Sequence, residues 1–234
     1  MGRGLWCACS SAYGAARRAS KPALLGFVSF LAAAVPAAAQ DVVIAALGDS
    51  LTQGYGLLQE DGFVPQMEGW LQARGHDVRL INAGVSGDTT AGGLARAAWT
   101  LTEEVDAMIV TLGGNDLLRA IPPEASRANL AGILDVATGA GVEVLLVGMS
   151  APGNYGPDYK QAFDAMYPDL AAQYGTLYAE SFFAGFEAMT ESDPAALSEV
   201  MQSDGIHPNA EGVALIVEAL GPQVEALIVA AQAE

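Results

Sequence analysis

Ser50 stands in "GDSLTQGYG", directly after the apolar run "VVIAA". His207 stands near the other end of the chain, in "DGIHPNAEG", three residues after Asp204. A hydroxyl, an imidazole and a carboxylate are the parts of a nucleophilic site: the imidazole takes the serine proton, and the carboxylate orients the imidazole and stabilises its positive charge. Only one other histidine exists. His76 lies in "ARGHDV", between a helix end and a strand, and reads as a surface or helix-capping residue. Pro208 biases His207 toward extended backbone and pins the imidazole at a rigid junction. Each piece alone has a plainer reading: Gly48 and Asp49 suit a turn, Ser50 can cap a helix, and Asp204 can cap a turn.

Acyl transfer also needs donors aimed at the oxygen that becomes negative in the tetrahedral intermediate. Three groups are available: the N–H of Ser50, the N–H of Gly87 in "VSGD", and the side-chain amide of Asn115 in "GGND". A glycine N–H admits substrate closely, and an asparagine amide donates without a charge to desolvate.

These groups need a scaffold that brings them together. Short apolar runs read as buried parallel strands at Val42 to Leu47, Val78 to Ile81, Ala107 to Leu112 and Val142 to Met149, with a weaker one near Thr176 to Tyr178. Helical spacing separates them. Phe63, Met67, Trp70 and Leu71 share a face, as do Leu130, Ile133, Leu134 and Ala137, and Phe163, Met166 and Leu170. Gly75, Gly141 and Gly175 stand where those helices should end. The closing helix is expected to start near Pro208, with a kink at Gly221 and Pro222. Alternating strands and helices predict an α/β fold with a parallel sheet of about five strands flanked by helices. In such a sheet, ligands bind outside the carboxyl ends of the strands. The segments after the first three strands are "GDSLTQG", "NAGVSGDTT" and "GGNDLL", so the candidate groups fall on one edge.

The first 40 residues contain no Asp or Glu, carry Arg17, Arg18 and Lys21, then run apolar and end in "AAAQ". That is the order of a secretory signal, so residues 1–39 are expected to be cleaved, leaving 40–234 as one domain, periplasmic or secreted, without stable membrane insertion. Cys7 and Cys9 leave with the leader, so disulfide, zinc–thiolate and cysteine-nucleophile chemistry are excluded from the mature chain. Four of the ten basic residues leave as well, so six face 27 acidic residues and the charge moves from −17 to near −21. A surface that acidic repels nucleic acid and anionic membranes.

The four blocks "GDSLTQGYG", "NAGVSGDTT", "GGND" and "DGIHPNAEG", in this order, resemble the SGNH subgroup of the GDSL hydrolases. The look is that of its periplasmic thioesterase, protease and lysophospholipase type, the arylesterases included. "PGNYGPDY", around Asn154 and Tyr155, also resembles that type, and "DLLRAIPPE" resembles a loop that meets the acyl chain there. The resemblance implies Ser50 as nucleophile with Asp204 and His207 completing the triad, and Ser50, Gly87 and Asn115 as oxyanion donors. It implies substrate contacts at Leu117, Leu118, Ile121, Asn154 and Tyr155, a three-layer flavodoxin-like fold, and no cofactor or metal. Asp49 is given no chemical role beyond holding its turn.

Thr52 stands where the second glycine of G-x-S-x-G would be, which disfavours the α/β-hydrolase elbow. The expected reaction is hydrolysis of a small-molecule ester or thioester, with small neutral esters first. Acyl length, leaving group and oligomeric state are not legible. Alternatives are a carbohydrate O-acetylesterase of the same fold, a metallophosphoesterase, which would draw on more histidines than this chain offers, and an exported binding module without catalysis.

Overall fold

The apolar run read as the first strand forms β1 (Val42–Gly48), buried along its whole length. The computed structural model describes residues 42–186, 189 and 194–233; the expected leader lies outside them. After β1 come α1 (Ser50–Gln53), α2 (Phe63–Ala73), β2 (Val78–Gly84), α3 (Thr90–Thr100), β3 (Ala107–Thr111), α4 (Gly114–Leu118) and α5 (Pro123–Gly139). The chain continues through β4 (Glu143–Val147), α6 (Pro157–Tyr174), β5 (Leu177–Ala179), α7 (Leu197–Val200) and α8 (Ala210–Ala231).

The five strands form one sheet in the order β2-β1-β3-β4-β5, and every neighbouring pair is parallel. This is the flavodoxin-like doubly wound order, and its switch point lies between β1 and β3. Helices α3, α5 and α6 pack side by side on one face, and α2 and α8 pack together on the other. Two covered faces explain why β1 and β3 carry apolar residues at successive positions rather than alternately. Gly75, Gly141 and Gly175 follow α2, α5 and α6 with φ of 90°, 70° and 70°, as the sequence suggested.

The closing helix starts at Ala210, near Pro208 as expected, where Asn209 caps it, its side-chain oxygen accepting from Gly212 N–H at 3.0 Å. Pro208 itself sits in an antiparallel bridge with Met201. The helix also continues through Gly221 and Pro222 to Ala231. Gly221 serves packing: a side chain there would collide with the Trp70 indole of α2. By length and composition α8 could cross a bilayer, yet Val213, Ile216, Val217, Leu220, Val224, Leu227 and Ile228 are all buried. Burying a side chain of that size stabilises the fold by about 1.5–3 kcal/mol, which holds α8, and the loop that precedes it, against the sheet.

Candidate active site

Ser50 opens α1 directly after β1. Asp49 caps that short helix, one carboxylate oxygen accepting from Leu51 N–H at 3.0 Å. His207 arrives from the far end of the chain. Asp204 folds back over Gly205, whose φ of +68° suits glycine, and one of its oxygens accepts from the N–H groups of Ile206 and His207 at 2.9 and 3.0 Å. Its other oxygen lies 2.7 Å from His207 Nδ1, and His207 Nε2 lies 2.8 Å from Ser50 Oγ. With the ring proton on Nδ1, the imidazole donates to Asp204 and accepts from Ser50. The hydrogen bonds from the ring and from the two backbone N–H groups hold the Asp204 carboxyl at about 2, below its ordinary 3.8.

Further contacts brace the histidine loop. Gln202 N–H donates to the His207 carbonyl at 2.8 Å, and the Gln202 side-chain amide donates to the carbonyls of Tyr55 and Pro208 at 2.8 and 2.9 Å. The Tyr55 ring packs against the imidazole with centroids 4.7 Å apart. Asn209 donates to the Glu199 carbonyl at 2.6 Å, tying the loop to α7. Sequence reasoning singled out neither Tyr55 nor Gln202. Tyr55 lies inside the "GDSLTQGYG" block, whereas Gln202 acts through backbone carbonyls that no residue pattern reveals.

The expected oxyanion donors face the same space. Gly87 occupies a turn closed by Asp88 N–H on the Val85 carbonyl at 3.0 Å, and its φ of +83° requires glycine. Asn115 lies in α4, and its amide donates to the second oxygen of Asp49 at 3.2 Å. One amide hydrogen is thereby used and the other is free for a ligand. Asp49 thus does more than hold a turn. Burial pushes its carboxyl above the ordinary 3.8, against the hydrogen bonds from Leu51 and Asn115, which pull it down.

Ser50, Gly87, Asn115, Asp204 and His207 all line one cavity of about 450 Å³. Its apolar wall comes from Leu51, Tyr55, Leu117, Leu118, Met149, Phe183 and Ile206. Of the expected substrate contacts, Leu117 and Leu118 are in that lining and Ile121, Asn154 and Tyr155 are not. The Ile121 carbonyl is taken by Tyr159 Oη at 2.9 Å, while Tyr155 packs on Tyr159 and faces solvent with Asn154. His76 lies at the other end of the sheet, half-buried and 2.9 Å from Glu225 of α8. Among the described residues no three His, Cys, Asp or Glu side chains group as metal ligands.

The pattern of the GDSL-like lipase/acylhydrolase family matches residues 46–215, a span holding Ser50, Gly87, Asn115, Asp204 and His207. The protein belongs to that family. This GDSL hydrolase is 37% identical over 206 residues to Esterase TesA of Pseudomonas aeruginosa, covering 88% of this chain and 98% of that protein. It is 33% identical over 193 residues to Thioesterase 1/protease 1/lysophospholipase L1 of Escherichia coli K12, covering 82% of this chain and 87% of that one. Among solved structures, AlinE4, an SGNH-hydrolase family esterase, is 39% identical with a TM-score of 0.64, covering 81% of this chain and 98% of its own. The family, the fold and the activity class expected from the four blocks therefore hold: this GDSL hydrolase is a carboxylic ester hydrolase.

Proposed function

We propose that Ser50 is the acyl-accepting nucleophile, His207 its general base and then general acid, and Asp204 the group that orients and stabilises the imidazolium. One observation carries this reading: a single imidazole stands 2.8 Å from the Ser50 hydroxyl and 2.7 Å from the Asp204 carboxylate. As Ser50 Oγ attacks the ester carbonyl, its proton moves to Nε2 and the carbonyl oxygen gains the negative charge. The N–H groups of Ser50 and Gly87 and the free hydrogen of the Asn115 amide receive that charge. Collapse expels the alcohol or thiol, which takes the proton from His207. Water then attacks the acyl-serine with His207 again as base, releasing the acid and restoring Ser50.

The substrate reading is a small neutral ester with an acyl or aryl group against Leu117, Leu118 and Met149. The apolar wall favours such groups, and the net charge of −17 disfavours phosphate-bearing ones. The acid-free leader with its apolar run supports export, with cleavage after Ala39 and the rest of the chain acting as one domain in the periplasm or outside the cell. The mature enzyme is read as working without a metal or other cofactor and without insertion into a membrane. The deciding experiment treats active protein with a neutral, serine-directed phosphonate and locates the adduct by peptide mass. A single adduct at Ser50, absent in His207→Ala, is expected; full inhibition with no adduct at Ser50 refutes the assignment. A nitrophenyl ester series run beside a palmitoyl thioester and a lysophospholipid ranks the substrates, and preference for the phosphate-bearing ones overturns the neutral-ester reading.

A further inference from the structure

We infer that Arg96, on α3, is a positioning residue that sets the distance between the nucleophile and the Gly87 donor; the inference rests on the roles proposed above for Ser50 and Gly87. All three guanidinium nitrogens are engaged. Nε donates to the Asp88 carboxylate at 2.7 Å, Nη1 to the Ala83 carbonyl at 2.6 Å, and Nη2 to the Gly48 carbonyl at 2.8 Å. Gly48 ends β1 two residues before Ser50. Ala83 lies at the end of β2, and Asp88 follows Gly87 directly. One rigid cation therefore joins the strand end that carries the nucleophile to both sides of the turn that carries a proposed oxyanion donor. The side chain is largely buried, at 23% exposure, and its ion-pair partner Asp88 is at 19%, so solvent screens the pair little.

The surroundings show why a fork is needed here. The Gly48 carbonyl also accepts from Val85 N–H at 3.1 Å, so the two strand ends already touch, and Arg96 fixes their spacing from the α3 side. The Asp88 carboxylate is itself confined, since any side chain at Gly92 would run into it. On the opposite side Arg119 donates to the Gly87 carbonyl at 2.8 Å, so the turn is held from two directions. Lysine would carry the charge but not the planar fork, and could not hold two carbonyls and a carboxylate in one geometry. Oxyanion donors act only when they stand near 2.7–3.1 Å from the developing charge, so a small displacement of the turn lowers turnover while leaving ground-state binding alone.

The test measures kcat and KM on a short nitrophenyl ester for Arg96→Lys, Arg96→Ala and Asp88→Asn. Competent sites are counted by phosphonate titration, and affinity is measured for a boronic acid that forms a tetrahedral adduct on serine. The expected result is a fall in kcat per competent site of about tenfold for Arg96→Lys and more for Arg96→Ala, with KM within twofold. Boronate affinity should fall in step with kcat/KM, and guanidinium ion should restore part of the Arg96→Ala activity. A merely structural role would lower the number of competent sites and leave the activity of each unchanged; that result overturns the inference. If Arg96→Ala does not fold, Arg96→Lys and Asp88→Asn decide it, and wild-type kcat in both overturns it. Ser50→Ala, assayed alongside, separates the two levels: activity surviving in it refutes the nucleophile assignment, whereas an inactive Ser50→Ala beside unaffected Arg96 variants refutes only the positioning role.

Discussion

Replacing Asp49 with asparagine tests whether the carboxylate beside the proposed nucleophile aims the Asn115 amide. Asp49 accepts from Leu51 N–H with one oxygen at 3.0 Å and from Asn115 with the other at 3.2 Å. Asparagine can keep one oxygen on Leu51, but its NH₂ then meets the NH₂ of Asn115. Turning the Asn115 amide relieves that conflict and puts its carbonyl oxygen where the tetrahedral intermediate carries negative charge. Loss of one oxyanion donor costs about 2.7–4 kcal/mol, so kcat should fall roughly 10²–10³-fold. Stability is pulled in two directions. A hydrogen bond to a charged group, worth about 1.5–3 kcal/mol, is given up, while the burial that pushes the Asp49 carboxyl up no longer opposes a charge. The two effects offset, and Tm should move by no more than about 2–4 °C. Steady-state kinetics on a short nitrophenyl ester at pH 8, with a thermal melt of the same preparation, reads both quantities. A kcat within threefold of wild type would show that Asn115 is aimed without Asp49. A rise in KM that accounts for the whole loss in kcat/KM would assign the contact to substrate binding instead.

The Asp204 carboxyl is held at about 2 against an ordinary 3.8, so folding favours its charged form. Its contribution is complete above pH 3.8 and is lost as pH falls through about 2; the side-chain carboxyl resonance of Asp204 should titrate near 2 in folded protein, and a midpoint near 3.8 would contradict the His207 contact. The buried Tyr167 hydroxyl donates to the Leu112 carbonyl at 3.0 Å, just before the "GGND" turn. Tyr167→Phe strands that carbonyl and should cost about 1–3 kcal/mol, or roughly 2–12 °C in Tm, read by calorimetry; an unchanged Tm would mean that the carbonyl finds another donor.

What the sequence made legible is what depends on periodicity and residue type. The five strands announce themselves as apolar runs because helices cover both faces of the sheet. Helix α3 is the instructive omission: the large apolar residues of "TAGGLARAAWT" are Leu94 and Trp99, and Trp99 is exposed, so no run of bulky side chains marks its buried face. It needs small residues instead, since a side chain at Gly93 would collide with Leu112. Asp204 and His207 could be paired from sequence because three residues across a glycine are close in any turn. The chemistry a serine nucleophile needs and the resemblance of the four blocks grouped them with Ser50, and the fold closes the separation of 157 residues. Ile121, Asn154 and Tyr155 rest on resemblance alone: none is in the cavity lining, and Ile121 and Tyr155 both touch Tyr159. The links from Arg96 to two carbonyls were invisible, because an acceptor on the main chain leaves no mark on residue identity, and the link from Asp49 to Asn115 joins side chains too far apart in sequence for local spacing to pair them. Asp116 is a further contact made only by the fold: fully buried, its carboxylate takes hydrogen bonds from the Thr90 N–H and hydroxyl and from Ser126 and so ties α4 to α3 and α5.

The alcohol of this enzyme is made early by the ribosome and its imidazole late, just ahead of α8. On the roles proposed above, a nascent chain stalled anywhere before residue 207 has a Ser50 hydroxyl without its imidazole and should not turn over ester. Under the same proposal, turnover would report that the His207 loop has reached Ser50, and α8 directly follows that loop.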